Sequence, residues 1–146
     1  MKELRTEIEI QASPDKVWQV LTSLDKYPEW NPFICHAIGE ASVGKTVDID
    51  FQPDSKGLKL HCTVVRVDQN RELCWKYHFI LPGLLRGEHS FIIEQIESNK
   101  VRFIDREIFH GLLVPLQARD IDTNSRQGFE AMDKALKARA EQKGKG

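Results

Sequence analysis

No run of eighteen apolar residues occurs in this 146-residue chain, so no segment reads as a membrane-crossing helix and no stable membrane insertion is expected. Cysteine is scarce. Cys35, Cys62 and Cys74 make an odd count, and the N-terminus, "MKELRTEIEI", alternates and carries acids instead of reading as a signal peptide. Both features predict reduced thiols and a cytoplasmic protein. Charge of one sign is lacking too. The formal net charge is -1 although charged residues make up 29% of the chain, so no strong field exists to draw in nucleic acid. The one basic cluster, Lys134–Lys145, is diluted by Glu141 and reads as a solvated helix end. Repeats, low-complexity segments and a phosphate-cradling glycine motif are all missing. The pairs Cys35-His36 and His61-Cys62 are adjacent, and neighbours on a strand point to opposite faces, so neither pair chelates. With no spaced Cys/His motif, no metal and no cofactor is expected. Cys62 and Cys74 fall in predicted strands without an evident activating base, which reads as buried, inert thiol.

What the chain does have is enough apolar material, 40% hydrophobic residues, to bury a real core. Its length predicts one domain over residues 1–146, with "EQKGKG" (141–146) as a frayed tail. Leu4, Thr6, Ile8 and Ile10 alternate with acids and Arg5, a half-buried strand. The period then changes. Ser13 suits an N-cap, Pro14 the first helical position, and Val17, Val20, Leu21 and Leu24 form one apolar stripe ending near Asp25. "YPEWNPF" (27–33) follows, three aromatics and two prolines in what reads as a loop. Strands are then expected over 35–38, 46–51, 58–68, with a bulge at Val64-Val65, and through Leu73, Trp75 and Tyr77. "QPDSKG" and "SVGK" are turns, "LPGLLRG" a loop or distorted edge, and residues 87–96 and 100–109 two more strands. From about Pro115 the chain reads as helix, with Ile121, Ser125, Phe129, Met132 and Leu136 on one stripe and Arg126 paired to Glu130. Helices at both ends with strands between predict an α+β domain: a curved antiparallel sheet of six or seven strands around a long C-terminal helix.

The face that such a sheet turns inward is unusually polar. His89, Phe91, Ile93 and Gln95 share one parity; Val101, Phe103, Asp105, Glu107 and Phe109 share another, with Arg102 and Arg106 on the opposite side. Inward carboxylates need a cation, a hydrogen-bond network or water. His89 and Arg126 are the candidate partners for Asp105 and Glu107. Apolar walls with a few converging polar groups are the usual make-up of a small-molecule site. Tyr27, Trp30 and Phe33 then either close the mouth of a cavity or simply plug the core.

The stretches "SPDKVWQVLTSLDKYPEWNPF", "VDQNRELCWKY", "GEHSFIIEQ" and "VRFIDREIFHGLLVPL" occur in an order that resembles the helix-grip superfamily. That group includes START lipid-transfer domains, plant pathogenesis-related proteins and the bacterial polyketide cyclase/dehydrase-like SRPBCC proteins. The resemblance spans nearly the whole chain. It implies a seven-stranded antiparallel sheet gripping the C-terminal helix, with a cavity between them. It matches Trp30, Trp75, His89, Phe91 and Glu107 to characteristic positions of the group, and it carries over no catalytic constellation.

Three readings follow. In the first, a small, largely apolar molecule (a polyketide, isoprenoid or acyl chain) binds between Trp30, Phe33, Trp75, Phe91, Phe103, Phe109 and Phe129, with His89 and Glu107 orienting its polar end. In the second, the protein is a cyclase or dehydratase, and Glu107, His89 or Asp105 moves a proton; a carboxyl in an apolar pocket has the raised pKa that this needs. In the third, the cavity is vestigial and Leu84, Leu85, Leu112 and Leu113 form a surface for a partner or a homodimer.

Overall fold

The computed structural model of the protein describes residues 1–51, 59–79 and 85–142. Seven strands, β1 (Lys2–Ile10), β2 (Ile34–Gly39), β3 (Thr46–Phe51), β4 (Lys59–Asp68), β5 (Glu72–Phe79), β6 (Leu85–Glu97) and β7 (Lys100–His110), form one antiparallel sheet. Their order is β1-β7-β6-β5-β4-β3-β2, so the first strand closes beside the last. The "QPDSKG" turn and residues 80–84 of "LPGLLRG" lie outside the described residues, whereas Leu85–Gly87 belong to β6.

Alternation decides the faces. Leu4 and Ile10 of β1 are fully buried, as are Phe103 and Val101 of β7, while Arg102 and Arg106 lie on the other side. The pairing of β4 with β5 shifts between Val64 and Arg66. That leaves Val65 as the extra residue and bends the sheet where the sequence predicts.

Helix α1 (Pro14–Thr22) begins as expected: Ser13 Oγ accepts from Lys16 N at 3.2 Å, and Val17 and Leu21 are buried. The aromatic stretch differs from expectation. After a 3-10 turn, Leu24–Lys26, residues Tyr27–Trp30 form a one-turn helix, α2. Pro28 sits in its first turn, where a missing N–H costs nothing, so the proline opens a helix here instead of closing one.

The C-terminal helical segment runs as α3 (Val114–Asp120), a π turn (Ile121–Ser125) and α4 (Arg126–Ala140). Thr123 Oγ1 donates to the Arg119 carbonyl at 2.9 Å across this widened turn. Phe129, Met132 and Leu136 are buried between helix and sheet. Arg126 does not pair with Glu130 and does not reach the inward acids. It donates to the Arg5 carbonyl at 3.2 Å, and Lys137 donates to the Glu9 carbonyl at 3.1 Å. The helix therefore covers the free edge of β1. Glu141, expected in the frayed tail, is held as well, accepting from Gln11 N at 2.7 Å and Lys137 Nζ at 2.6 Å. No helix among the described residues is long and apolar enough to cross a membrane.

Candidate functional site

Register puts the polar residues in adjacent rows on the concave face. Trp75, His89, Glu107 and Leu4 stand opposite one another across β5, β6, β7 and β1. The next row is Leu73, Phe91, Asp105 and Thr6; on the other side lies Tyr77, Gly87, Phe109 and Lys2. Cross-strand neighbours on one face touch, so the parity read from the sequence is enough to bring His89, Asp105 and Glu107 together.

His89 stands between the two acids. His89 Nε2 lies 2.5 Å from Asp105 Oδ1, and His89 Nδ1 lies 3.3 Å from Glu107 Oε1. The Tyr77 hydroxyl donates to the second Glu107 oxygen. Gly87 makes this possible: a Cβ there would stand 2.4 Å from the Tyr77 hydroxyl oxygen, so only glycine leaves the ring its path across β6. The His89 ring is also covered on both faces, stacked on Phe91 (centroids 4.2 Å) and on Phe129 (4.9 Å).

Two members of the network escaped the sequence reading. Asp133 of α4 is buried; it accepts from Thr6 Oγ1 at 2.5 Å and lies against the Asp105 carboxyl, with Oδ1 of Asp133 and Oδ2 of Asp105 both lacking a donor. The signal for it was present: it occupies the i+4 place of the stripe Phe129, Met132, Leu136, an acid where an apolar residue belongs. Tyr77 reads from the sequence only as a strand residue beside Leu73 and Trp75; the signal of its role is the glycine directly across from it.

Electrostatics follow from burial. Burial pushes the Asp105 carboxyl well up, and the Glu107 charge adds to the effect. Asp133 is raised to about 9, first by burial and then by the Asp105 charge. The Tyr77 hydroxyl is held well above its ordinary value by burial and by Glu107, so it keeps its proton and donates. Burial lowers His89, against the opposing pull of Glu107 and Asp133. The His89–Asp105 bond needs one bridging proton, which a neutral imidazole supplies. Asp105 Oδ2 and Asp133 Oδ1, both buried without a donor, are satisfied by a proton held between them, in line with the raised values of both acids.

The rings divide into two sets. Trp75, Phe91, Phe103 and Phe129 are fully buried, with centroid spacings such as 5.1 Å for Trp75–Phe91 and 6.3 Å for Phe91–Phe103. Phe33 and Phe51 are half-buried and meet at 4.9 Å, and Phe33 reaches Phe129 at 5.9 Å. Phe33 rests on Gly128 of α4, where a Cβ would come within 2.3 Å of its ring. Phe109 packs with Leu4, Val114, Ile121 and Phe129 in a separate smaller cluster that Phe33 and Leu85 border. In the aromatic stretch, Tyr27 is a plug: fully buried, its hydroxyl donating to the Leu21 carbonyl at 2.6 Å. Trp30 is half-buried edge-on to Tyr27 at 5.1 Å, and its indole N–H has no partner among the described residues.

Cys62 and Cys74 are buried and their thiols are pushed up, to about 12 and about 11, chiefly by burial, which keeps both protonated. Among the described residues no His, Cys, Asp or Glu cluster fits a metal. Of the four leucines suggested as a patch, Leu112 is 79% exposed, Leu85 and Leu113 are half-buried, and Leu84 lies outside the described residues. The described residues also form an open cleft of about 750 Å³, between the start of α1, the β4–β5 turn and β6. Its lining is polar (Asp15, Asp68, Asn70, Arg71, Glu72, Glu94 among others) and shares no residue with the site above.

With this geometry in place the sequence family is decisive. The profile of a family described as "Polyketide cyclase / dehydrase and lipid transport" matches residues 1–141. The chain belongs to that family. No curated protein matches the chain in sequence. Solved structures do resemble this family member. A Mesorhizobium loti protein is 20% identical, with 98% of this chain and 99% of that one covered and a TM-score of 0.79. A START superfamily protein from Mycobacterium smegmatis is 18% identical over 95% of this chain and 97% of its own, with a TM-score of 0.77. The di-domain ARO/CYC BexL is 14% identical at a TM-score of 0.75; 93% of this chain matches 46% of that one, about half its length. At such identities the likeness establishes the fold: a START-like helix grip, a curled seven-stranded sheet around a long C-terminal helix.

Proposed function

We propose that this family member binds a small, largely apolar molecule between the sheet and the C-terminal helix. The observation that carries the reading is the setting of Glu107, an acid turned inward beside half-buried rings. Phe33, Phe51, Tyr77 and Leu85 line it with largely apolar, partly open surface, and the Tyr77 hydroxyl donates a hydrogen bond to Glu107. They are the walls; Trp30 and Phe109 flank them, and the fully buried Trp75, Phe91, Phe103 and Phe129 are the floor. Family membership supports the same reading. A second reading, proton transfer in a cyclase or dehydratase, is favoured by the Tyr77–Glu107 pair. In that case Glu107 is the group that meets substrate. His89, with Nε2 bonded to Asp105, Nδ1 3.3 Å from Glu107 and both ring faces covered, positions it.

The test is titration of Nile red, a neutral apolar dye, followed by native mass spectrometry for a co-purifying molecule. The dye is expected to bind with a dissociation constant on the order of micromolar, about -8 kcal/mol. Leu85→Trp should fill the open end and abolish binding while circular dichroism stays native. Binding that survives Leu85→Trp undisturbed would overturn this placement. Turnover lost in Glu107→Gln with binding kept would select the enzymatic reading.

A further inference from the structure

The interior carries a charge preference as well as an apolar lining. Among the described residues the buried ionisable side chains are His89, Tyr27, two thiols (Cys62 and Cys74) and three carboxyls, Asp105, Glu107 and Asp133; no lysine or arginine is among them. Lys2, in the Tyr77–Gly87–Phe109 row, is held by Asp122 at 2.8 Å. His89 has Nε2 bonded to Asp105 and Nδ1 3.3 Å from Glu107. Three buried carboxyls thus stand together with His89 as their one basic neighbour, and any negative charge they carry is costly to keep there. The network is anchored on β6, β7 and α4, so the charge cannot be turned away from the interior.

Lone pairs remain free where the network meets the half-buried rings. Glu107 Oε2 accepts from the Tyr77 hydroxyl, Oε1 lies 3.3 Å from His89 Nδ1, and both can accept more; the Tyr77 oxygen donates once and can also accept. The polar end of the site therefore offers acceptors. The unpaired donors, Trp30 Nε1 and Asn31 Nδ2, belong to the α2 turn and not to the strands that carry Glu107. A ligand carboxylate or phosphate brought to Glu107 meets a like charge in a low-dielectric setting. An ammonium supplies the missing countercharge and a donor, next to rings whose faces favour cations.

We infer that the ligand is an apolar molecule whose polar end is a hydrogen-bond donor, an ammonium group above all, and not an anionic lipid. This inference rests on the binding reading above and sharpens it to a ligand class.

The experiment compares decylamine, decanol and decanoate, one apolar body with three heads, each below its micellar concentration. Binding to the wild-type protein near neutral pH is measured by calorimetry. The amine is expected to bind about ten-fold tighter than the carboxylate or better, with the alcohol between them. Glu107→Gln should narrow that gap to within about two-fold. Tyr77→Phe, which leaves the acid in place, should keep the order. Decanoate binding as tightly as decylamine overturns the charge inference while the apolar site stands. If none of the three binds, the site reading itself fails and the inference falls with it. An amine preference unchanged in Glu107→Gln would move the charge selection to another residue and overturn the assignment.

Discussion

The two ends of the layer between helix and sheet are built from the same residue types but finished differently. At the inner end Phe91, Phe103, Val101, Met132 and Leu136 are sealed, ring on ring and side chain on helix. Toward Phe51, Tyr77 and Leu85 the residues are just as apolar yet only half covered, and Phe109 has its own small cluster apart from the main core. Between the ends runs the polar line Tyr77–Glu107–His89–Asp105–Asp133–Thr6. An apolar inward face is therefore no measure of an available site. Where side chains interlock, the face is core; where rings such as Phe33 and Phe51 stay half covered, the proposed ligand finds its place.

Substitutions should separate the two ends. Phe103→Ala, at the sealed end, is expected to cost roughly 3–5 kcal/mol in denaturant unfolding, because a cavity is left that little can collapse into. Phe33→Ala, at the open end, should cost well under half of that, roughly 1 kcal/mol, but should weaken Nile red binding more than any sealed-end change that still folds. Equal stability losses would erase the distinction.

A pH series sharpens the role of the polar line. Asp133 is raised to about 9 in the folded protein from an ordinary value of 3.8, so between those values the folded state holds a proton that the unfolded chain has released. Stability must therefore fall as pH rises through that window, by up to about 1.4 kcal/mol per pH unit for one proton. The raised Asp105 acts in the same direction. His89, lowered by burial, acts in the opposite direction at and below its ordinary value of 6.5, so the clean interval is about pH 7 to 9. Asp133→Asn can still donate to Asp105 and accept from Thr6. Its unfolding midpoint should be flatter across that interval, and wild type and variant falling in parallel would refute the shared proton.

Gly128→Ala should have the smallest effect. The new methyl meets the Phe33 ring at 2.3 Å, but that ring is half-exposed and can swing aside. Alanine also favours helix by about 1 kcal/mol, so net stability should change by less than about 1 kcal/mol. Dye binding should shift nonetheless, because the displaced ring belongs to the open end.

Much of this architecture is legible in single residues. Alternation in "VRFIDREIF" sets Asp105 and Glu107 on the inward face, and matching parity in "GEHSF" brings His89 to meet them. Val64-Val65 marks the bend. What escapes depends on contacts between distant segments. Asp133 needs Asp105 and Thr6 as partners, more than twenty-five and more than a hundred residues away, before its place among apolar neighbours makes sense. Pro28 illustrates a local ambiguity: the same residue stops a helix or begins one, and the buried Tyr27 beside it decides which. Arg126 was free by pattern to face in or out, and the unpaired carbonyls of β1 drew it outward.

The covered rim of β1 bears on how the protein is made. Ile10 pairs with Val101, so the first strand synthesised must wait most of a chain length for its neighbour. Its other side is shielded only when Arg126 and Lys137 arrive, later still. During translation that strand has two open flanks, and a chain cut short before the last helix would keep one of them bare, ready to join a neighbouring chain.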